Sequence, residues 1–466
     1  MTKEKSKGQK LQDKLLINRK NGGLRLTTEE IIKAEKYCEG YKQFLNKGKT
    51  EREFAAEAIA LAEKQGFSEY IRGKKYLPGD KIYLNNRGKA VILAVIGSTP
   101  FEEGVNITAA HIDSPRVDLK ARPLYEEAEL ALFKTHYYGG IKKYQWVAVP
   151  LSLHGVILTE DGKKISVNIG EDDGDPVFCI TDLLPHLAQE QMKRTLAEGI
   201  KGEELNVLVG SYPFRDDEAS EKVKLNIINL LNEKYGIVEG DLLSAELELV
   251  PSFKARDLGF DRSMVGGYGQ DDRVCAYTAL TAIIEVEKTA RTAVCILADK
   301  EETGSDGNTG LNSSYLRYFI ADLAKPYGVD GRTVLSHSKC LSADVNAAFD
   351  PTFCDVNEKR NSCYLNYGVV LTKYTGARGK SGTSDASAEF SNEIQRMLDK
   401  NGVIWQTAEL GKVDQGGGGT VAQYIANLDV DVIDMGVPVL SMHSPFEVVS
   451  KIDIWEAYKA FRAFHQ

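Results

Sequence analysis

Two stretches of this chain, Ala90 to Ile96 and Val105 to Ala110, are apolar at most positions, so each is hydrophobic on both faces if drawn out as a strand. Such a strand is stable only in a sheet covered on both sides. The requirement points to an α/β fold, a mixed sheet with helices on both faces. Helices to cover it are legible at once. Thr27 to Glu30 and Thr50 to Glu53 each set a Thr N-cap three residues before a Glu, and Gly66 ends the second helix. Asn85-Asn86-Arg87-Gly88, between Lys81–Leu84 and the Ala90 run, reads as a hairpin turn.

At 466 residues the chain is long for one core, and 42% hydrophobic residues are enough for two. From about Arg122 the texture shifts to short β-rich runs (Tyr144 to Val149, Gly155 to Leu158, Lys164 to Ile169) with an acidic middle, and after Gly266-Gly267 the α/β texture returns. Neither flank alternates completely alone. The expected organisation is therefore an α/β domain in two parts, 1–121 and 263–466, split by an inserted β-rich module, 122–262. A net charge of −9 argues against a general nucleic-acid binder. Seven scattered cysteines without a CxxC pair suit reduced thiols in the cytoplasm. No run reaches membrane-spanning length, and no apolar segment follows the Lys-rich start, so residues 1–20 read as a solvated arm with an oligomer contact as its other role.

Polar residues gather where apolar runs end. The run Ala293 to Leu297 leads into Glu301-Glu302; taken alone a Glu pair is most often solvated, but in a cleft one carboxylate can ligate a metal while the other takes a proton from water. His111 and Asp113 lie two apart, so on an extended segment they face the same way, and the Asp can accept one imidazole N–H while the other nitrogen meets a metal. Asp271-Asp272 precedes a helix, where one Asp is an ordinary first-turn residue and the pair is less easily explained; a carboxylate there can bridge two ions. Asp344 and His443 follow further apolar patches. Each is ordinary singly. Together they suffice for a two-metal hydrolytic site with open positions for water and substrate.

The wording around these residues, Ala110-His111-Ile112-Asp113-Ser114-Pro115, Gln270-Asp271-Asp272-Arg273, Asp299 to Ser305, Leu341 to Asp344 and Leu440 to Ser444, resembles the aspartyl aminopeptidase family of dizinc exopeptidases, which includes vacuolar aminopeptidase I. The resemblance spans nearly the whole chain, including Tyr138-Gly139-Gly140 in the β-rich part. It implies a metallo-aminopeptidase acting on peptides with a free N-terminus. One divalent ion would be held by His111, Asp271 and Asp344 and the other by Asp271, Glu302 and His443, with zinc first and cobalt or manganese as alternatives. Glu301 would be the general base, Asp113 would orient His111, and Asp271 would be the bridge, although Asp272 stands where the family usually has Asn and the two could exchange roles. It also implies a homo-oligomer, a dodecamer built from dimers through the β-rich module, with His186 offered to a partner subunit's substrate. The glycine-rich loop around Gly417 and the segment after Asp344 depart from the family's pattern, so the acidic preference of its best-known members does not transfer. Lys373, Arg378 and Lys380 are the residues that could read an acidic side chain, or a solvated cluster. The rival functions are a carboxypeptidase or deacylase on the same ions, and a noncatalytic metal-binding scaffold.

Overall fold

In a computed structural model, which describes residues 5–466, the apolar runs lie in the middle of a nine-stranded sheet. Its order is Ser68–Glu69, Lys81–Asn86, Ala90–Val95, Ala293–Ala298, Asn106–His111, Lys339–Ser342, Asp431–Gly436, Val369–Thr372 and Trp405–Thr407. The four strands from Ala293–Ala298 to Asp431–Gly436 run parallel, while the hairpin side and Val369–Thr372 pair antiparallel. The sheet is mixed.

Pleating divides each apolar run between two cores. Val91, Leu93 and Val95 face the helices Thr28–Lys47, Glu51–Lys64, Gln270–Ile284, Ala388–Lys400 and Lys451–His465, whereas Ile92, Ala94 and Ile96 face Tyr315–Ala324, Gly331–Ser336 and Ala422–Ala426. Fully burying one such aliphatic side chain contributes about 1.5–3 kcal/mol, so a one-residue slip in register would exchange the two sets and refill both cores wrongly. Both Thr-capped helices begin as the sequence indicates, each with a closed capping box.

Strands between Arg116 and Pro251 form a second, seven-stranded sheet, in the order Lys164–Ile169, Leu151–Leu158, Glu246–Pro251, Arg116–Glu127, Leu130–Tyr138, Val207–Gly210, Cys179–Ile180. Two details differ from the sequence reading. Tyr144 to Val149 is no strand: Lys143–Gln145 forms a 3-10 turn and Trp146 is buried in the second sheet's core, edge-on to Tyr268. This part of the chain also carries a helix, Lys222–Tyr235. Near the N-terminus the expected arm contains a helix, Lys7–Leu15, capped by Ser6 and with no buried residue; residues 1–4 of that arm lie outside the described part.

A third sheet joins pieces remote in sequence: Arg256–Leu258, Met264–Gly267, Glu447–Ser450, Pro438–Leu440 and Asn346–Ala347. Pro438 begins its strand, as expected for a residue without an N–H.

Candidate metal centre

The carboxyl ends of the parallel strands open onto one crevice, the usual place for chemistry in such sheets. His111 is the last residue of Asn106–His111 and sits opposite Ala298 in the neighbouring strand, from which the chain continues to Glu301 and Glu302. Asp344 follows Lys339–Ser342 on the other side. Asp271 and Asp272, joined by a cis peptide, interrupt the first turn of the helix Gln270–Ile284 with non-helical backbone angles. His443 occupies the turn between Pro438–Leu440 and Glu447–Ser450, so the third sheet delivers both Asp271 and His443.

The two histidines present Nε2 to the same carboxylate. His111 Nε2 lies 3.2 Å from Asp271 Oδ1, and His443 Nε2 lies 3.2 Å from Asp271 Oδ2. Around His111 stand Glu301 Oε2 at 3.8 Å and Asp344 Oδ1 at 3.9 Å; beside His443 stands Glu302 Oε1 at 3.5 Å. Asp272 is turned elsewhere and accepts the His111 backbone N–H at 3.3 Å. Donor atoms of His111, Glu301 and Asp344, and of His111, Asp271 and Glu302, cluster within 4.8 Å, as a metal ion requires.

Proton positions follow from the outer contacts. His111 Nδ1 faces Asp113, 3.0 Å from its carbonyl and 3.3 Å from Oδ1, and His443 Nδ1 faces the Gly140 carbonyl at 2.8 Å. Each Nδ1 is therefore committed to its acceptor and carries a proton, which leaves Nε2 as the atom of each ring that would meet a cation. Asp113, fully buried, also accepts the Glu301 and Glu302 backbone N–H groups at 3.1 and 3.2 Å and the Tyr138 hydroxyl at 2.8 Å. Burial alone would raise its carboxyl, but the hydrogen bonds from His111 and Tyr138 outweigh burial and hold it low.

A divalent cation fits this donor set. Glu302 Oε1 is buried with no hydrogen-bond partner. Burial pushes Glu302 and Asp344 well up and Glu301 up to about 7, while His443, lowered by burial, is carried to about 10 by its bond to Asp271 and the charge of Glu302. So much negative charge in so little water is what a cation relieves, and imidazole with carboxylate oxygen is a zinc-type donor set.

One further residue holds this centre and was not among the sequence candidates. Glu447, buried, accepts the Asp271 N–H on Oε2 at 3.0 Å and the His443 N–H on Oε1 at 2.8 Å. Its position four residues after His443 was a signal, but its reach to Asp271 exists only in three dimensions.

The substrate candidates separate. His186 is exposed in the loop after Cys179–Ile180 and outside both donor clusters. Gly417 borders a cleft of about 670 Å³ that reaches His443 and is lined by Tyr144, Phe353, Val356, Leu440 and Met442. A Cβ on Gly417 would lie 2.5 Å from the Ala377 backbone, so this wall must be glycine. Arg378 and Lys380 border a smaller hollow beside Gly416 and Gly417, and Lys373 and Lys380 both pair with Asp385, at 3.5 and 2.8 Å.

With this geometry in hand, comparison with known proteins is direct. The family described as aminopeptidase I zinc metalloprotease (M18) matches residues 44–465. A Clostridium acetobutylicum protein named "Probable M18 family aminopeptidase 1" is 52% identical over 432 residues, covering 91% of this chain and 93% of its own. The crystal structure of an M18-family aminopeptidase from Thermotoga maritima superposes with a TM-score of 0.92 at 45% identity, over 97% of this chain and 99% of that one. The yeast mApe1 dodecamer subunit shares the fold at a TM-score of 0.74 and 22% identity, over 91% and 95% of the two chains.

Proposed function

The chain belongs to the M18 family of aminopeptidase I zinc metalloproteases, hydrolases acting on peptides, and from that premise we propose that it removes N-terminal residues from peptides at a two-cation site with Glu301 as general base. The observation that carries the reading is Asp271, whose two carboxylate oxygens are divided between His111 and His443. His111, Asp344 and Asp271 would hold one cation and Asp271, Glu302 and His443 the other. Bound there, zinc supplies Lewis-acid polarisation of the peptide carbonyl and acidifies a water. Glu301, whose Oε2 lies 3.8 Å from His111 Nε2, takes the proton of the attacking water and returns it to the leaving amine. The substrate's free N-terminal amine would sit against the second cation or a neighbouring carboxylate.

The adjoining cleft supports a neutral N-terminal side chain. Phe353, Val356 and Tyr144 on its wall are exposed apolar groups, and its two charged border residues, Lys142 and Asp350, have opposite sign. Asp350 is already engaged in accepting the Thr352 N–H. Of the acidic-substrate candidates, Lys373 and Lys380 share one partner, Asp385, and Arg378 borders the smaller hollow and not this cleft.

We also read residues 122–262 as an inserted module through which copies assemble, as a dodecamer built from dimers, with His186 reaching a partner's site. Leu183, Leu184, Leu187, Met192 and Leu196, all exposed around that residue, support a protein contact there. The free state of every cysteine supports a reducing, cytoplasmic setting.

The decisive test pairs Glu301→Gln with a substrate panel. The variant should keep its zinc, assayed by bound-metal content, and lose about 10³-fold or more in kcat. The native enzyme should cleave Leu- and Phe-peptides faster than Asp-peptides and ignore N-acetylated ones. Cleavage confined to N-blocked substrates would make it a deacylase, full activity in Glu301→Gln would remove the base, and no metal-dependent hydrolysis at all would leave the scaffold reading.

A further inference from the structure

The second sheet supplies none of the residues around Asp271, yet it touches the metal centre with one corner, Tyr138-Gly139-Gly140, at the end of the strand Leu130–Tyr138. Three contacts are made there. The Tyr138 hydroxyl donates to Asp113 Oδ2 at 2.8 Å, and Asp113 in turn meets His111 Nδ1. The Gly140 carbonyl accepts from His443 Nδ1 at 2.8 Å. Between them Gly139, at φ 73°, passes so close to Glu302 that a Cβ would lie 3.2 Å from Oε2 and 3.3 Å from the Glu302 Cβ. The corner is itself held rigidly. The Arg116 guanidinium stacks 3.9 Å from the Tyr138 ring centre and is fixed by Glu51, Asp118 and Glu248.

We propose that Tyr138-Gly139-Gly140 is a positioning clamp that fixes the ring orientation and tautomer of both histidines at once, so that the second sheet is part of the catalytic apparatus without contributing a ligand. An imidazole whose Nδ1–H is committed to an acceptor keeps Nε2 free for a cation, and loss of such outer partners costs about 10–100-fold in metal affinity or activity. Tyr138 reaches one histidine through Asp113 and Gly140 reaches the other directly. Any displacement of this corner relative to the nine-stranded sheet therefore disturbs both histidines together. Gly139 is what permits the approach, for its left-handed φ and its closeness to Glu302.

The clamp rests on the metallo-aminopeptidase reading for its consequence in catalysis, but its effect on metal binding can be measured separately. Full-length Tyr138→Phe keeps the ring over Arg116 and removes only the hydroxyl; Gly139→Ala pushes on Glu302. With zinc as the probe, competition against a chromophoric chelator should show affinity weakened about 10-fold in Tyr138→Phe and at least as much in Gly139→Ala. The cobalt-substituted proteins should show altered visible absorption, and circular dichroism should be unchanged. kcat on a Leu-peptide should fall with KM changed less than about twofold, as for a group acting through the catalytic residues. If both variants bind zinc as the native protein does and give its cobalt spectrum, the clamp is overturned. If zinc affinity falls as expected while the native protein hydrolyses no peptide, the clamp stands and the proposed function fails.

Discussion

Glu447 does for two backbone groups what Asp113 does for an imidazole ring. One buried carboxylate, with an oxygen for each, sets the distance between the N–H of Asp271 and the N–H of His443, and so between two sides of the candidate centre. Glutamine there could accept only one of the two bonds; its amide nitrogen would face the other N–H, donor against donor. Glu447→Gln is expected to weaken zinc binding about 10-fold, checked by titration against a competing chelator. Unchanged affinity would mean that the third sheet alone holds Asp271 and His443 in place. Asp271 and Asp272 illustrate the limit of the sequence at this scale. Both lie in the first turn of the same helix, and only the fold turns one between the histidines and the other onto the His111 N–H.

Among the elements, the helix Glu51–Lys64 is joined to the second sheet by a residue with two duties. Glu53 closes the capping box, with Oε2 accepting the Thr50 and Lys49 N–H groups, and its Oε1 receives His154 Nδ1 at 2.7 Å. His154 Nε2 lies 3.1 Å from Glu171, which also takes Lys49 Nζ at 2.6 Å. With a carboxylate on each side both ring nitrogens must donate, so the buried imidazole is charged. Burial lowers its pKa, but the hydrogen bonds to Glu171 and Glu53 outweigh burial and raise it. A raised folded pKa gives stabilisation that is complete below the unfolded value of about 6.5 and fades as pH climbs through the folded value. His154→Gln should therefore cost about 2 kcal/mol near pH 6, with the gap to the native protein narrowing as pH rises above the unfolded value in urea unfolding midpoints. A gap that stays constant with pH would mean a neutral ring. The capping box was legible as Thr-x-x-Glu; its second duty was not, because Glu53 and His154 are a hundred residues apart in the chain.

For the whole molecule, cations that bind the folded chain alone add stability by mass action, about 4 kcal/mol at a thousandfold excess over Kd. Dialysis against a chelator should abolish peptidase activity and lower the melting temperature, and zinc should restore both; a melting temperature indifferent to zinc would count against ions held by His111, Asp271, Glu302, Asp344 and His443. Assembly is tested by sedimentation. The native protein should run at several times the chain mass, and Leu184→Asp with Leu187→Asp should shift it toward smaller species, since both leucines are half-exposed or more and a charge at a buried interface is costly. A native protein that sediments as a single chain would remove the assembly reading.

Local chemistry is what this sequence determined alone. A run apolar on both faces has one stable setting, so Ala90–Val95 and Asn106–His111 belonged inside a covered sheet from the start, and polar residues following such runs belonged at the ends of its strands, where His111, Glu301, Glu302 and Asp344 lie, while His443 comes from the third sheet. Thr27 and Thr50 capped helices because a cap is satisfied within four residues. The tertiary structure decided whatever depends on a partner far along the chain. The third sheet, assembled from strands of two to four residues, has too little hydrophobic period to be read in advance, yet it brings Asp271 to His443. Glu447, the Tyr138-Gly139-Gly140 corner and the separation of Lys373 from the cleft beside His443 all follow from contacts that no window of sequence contains.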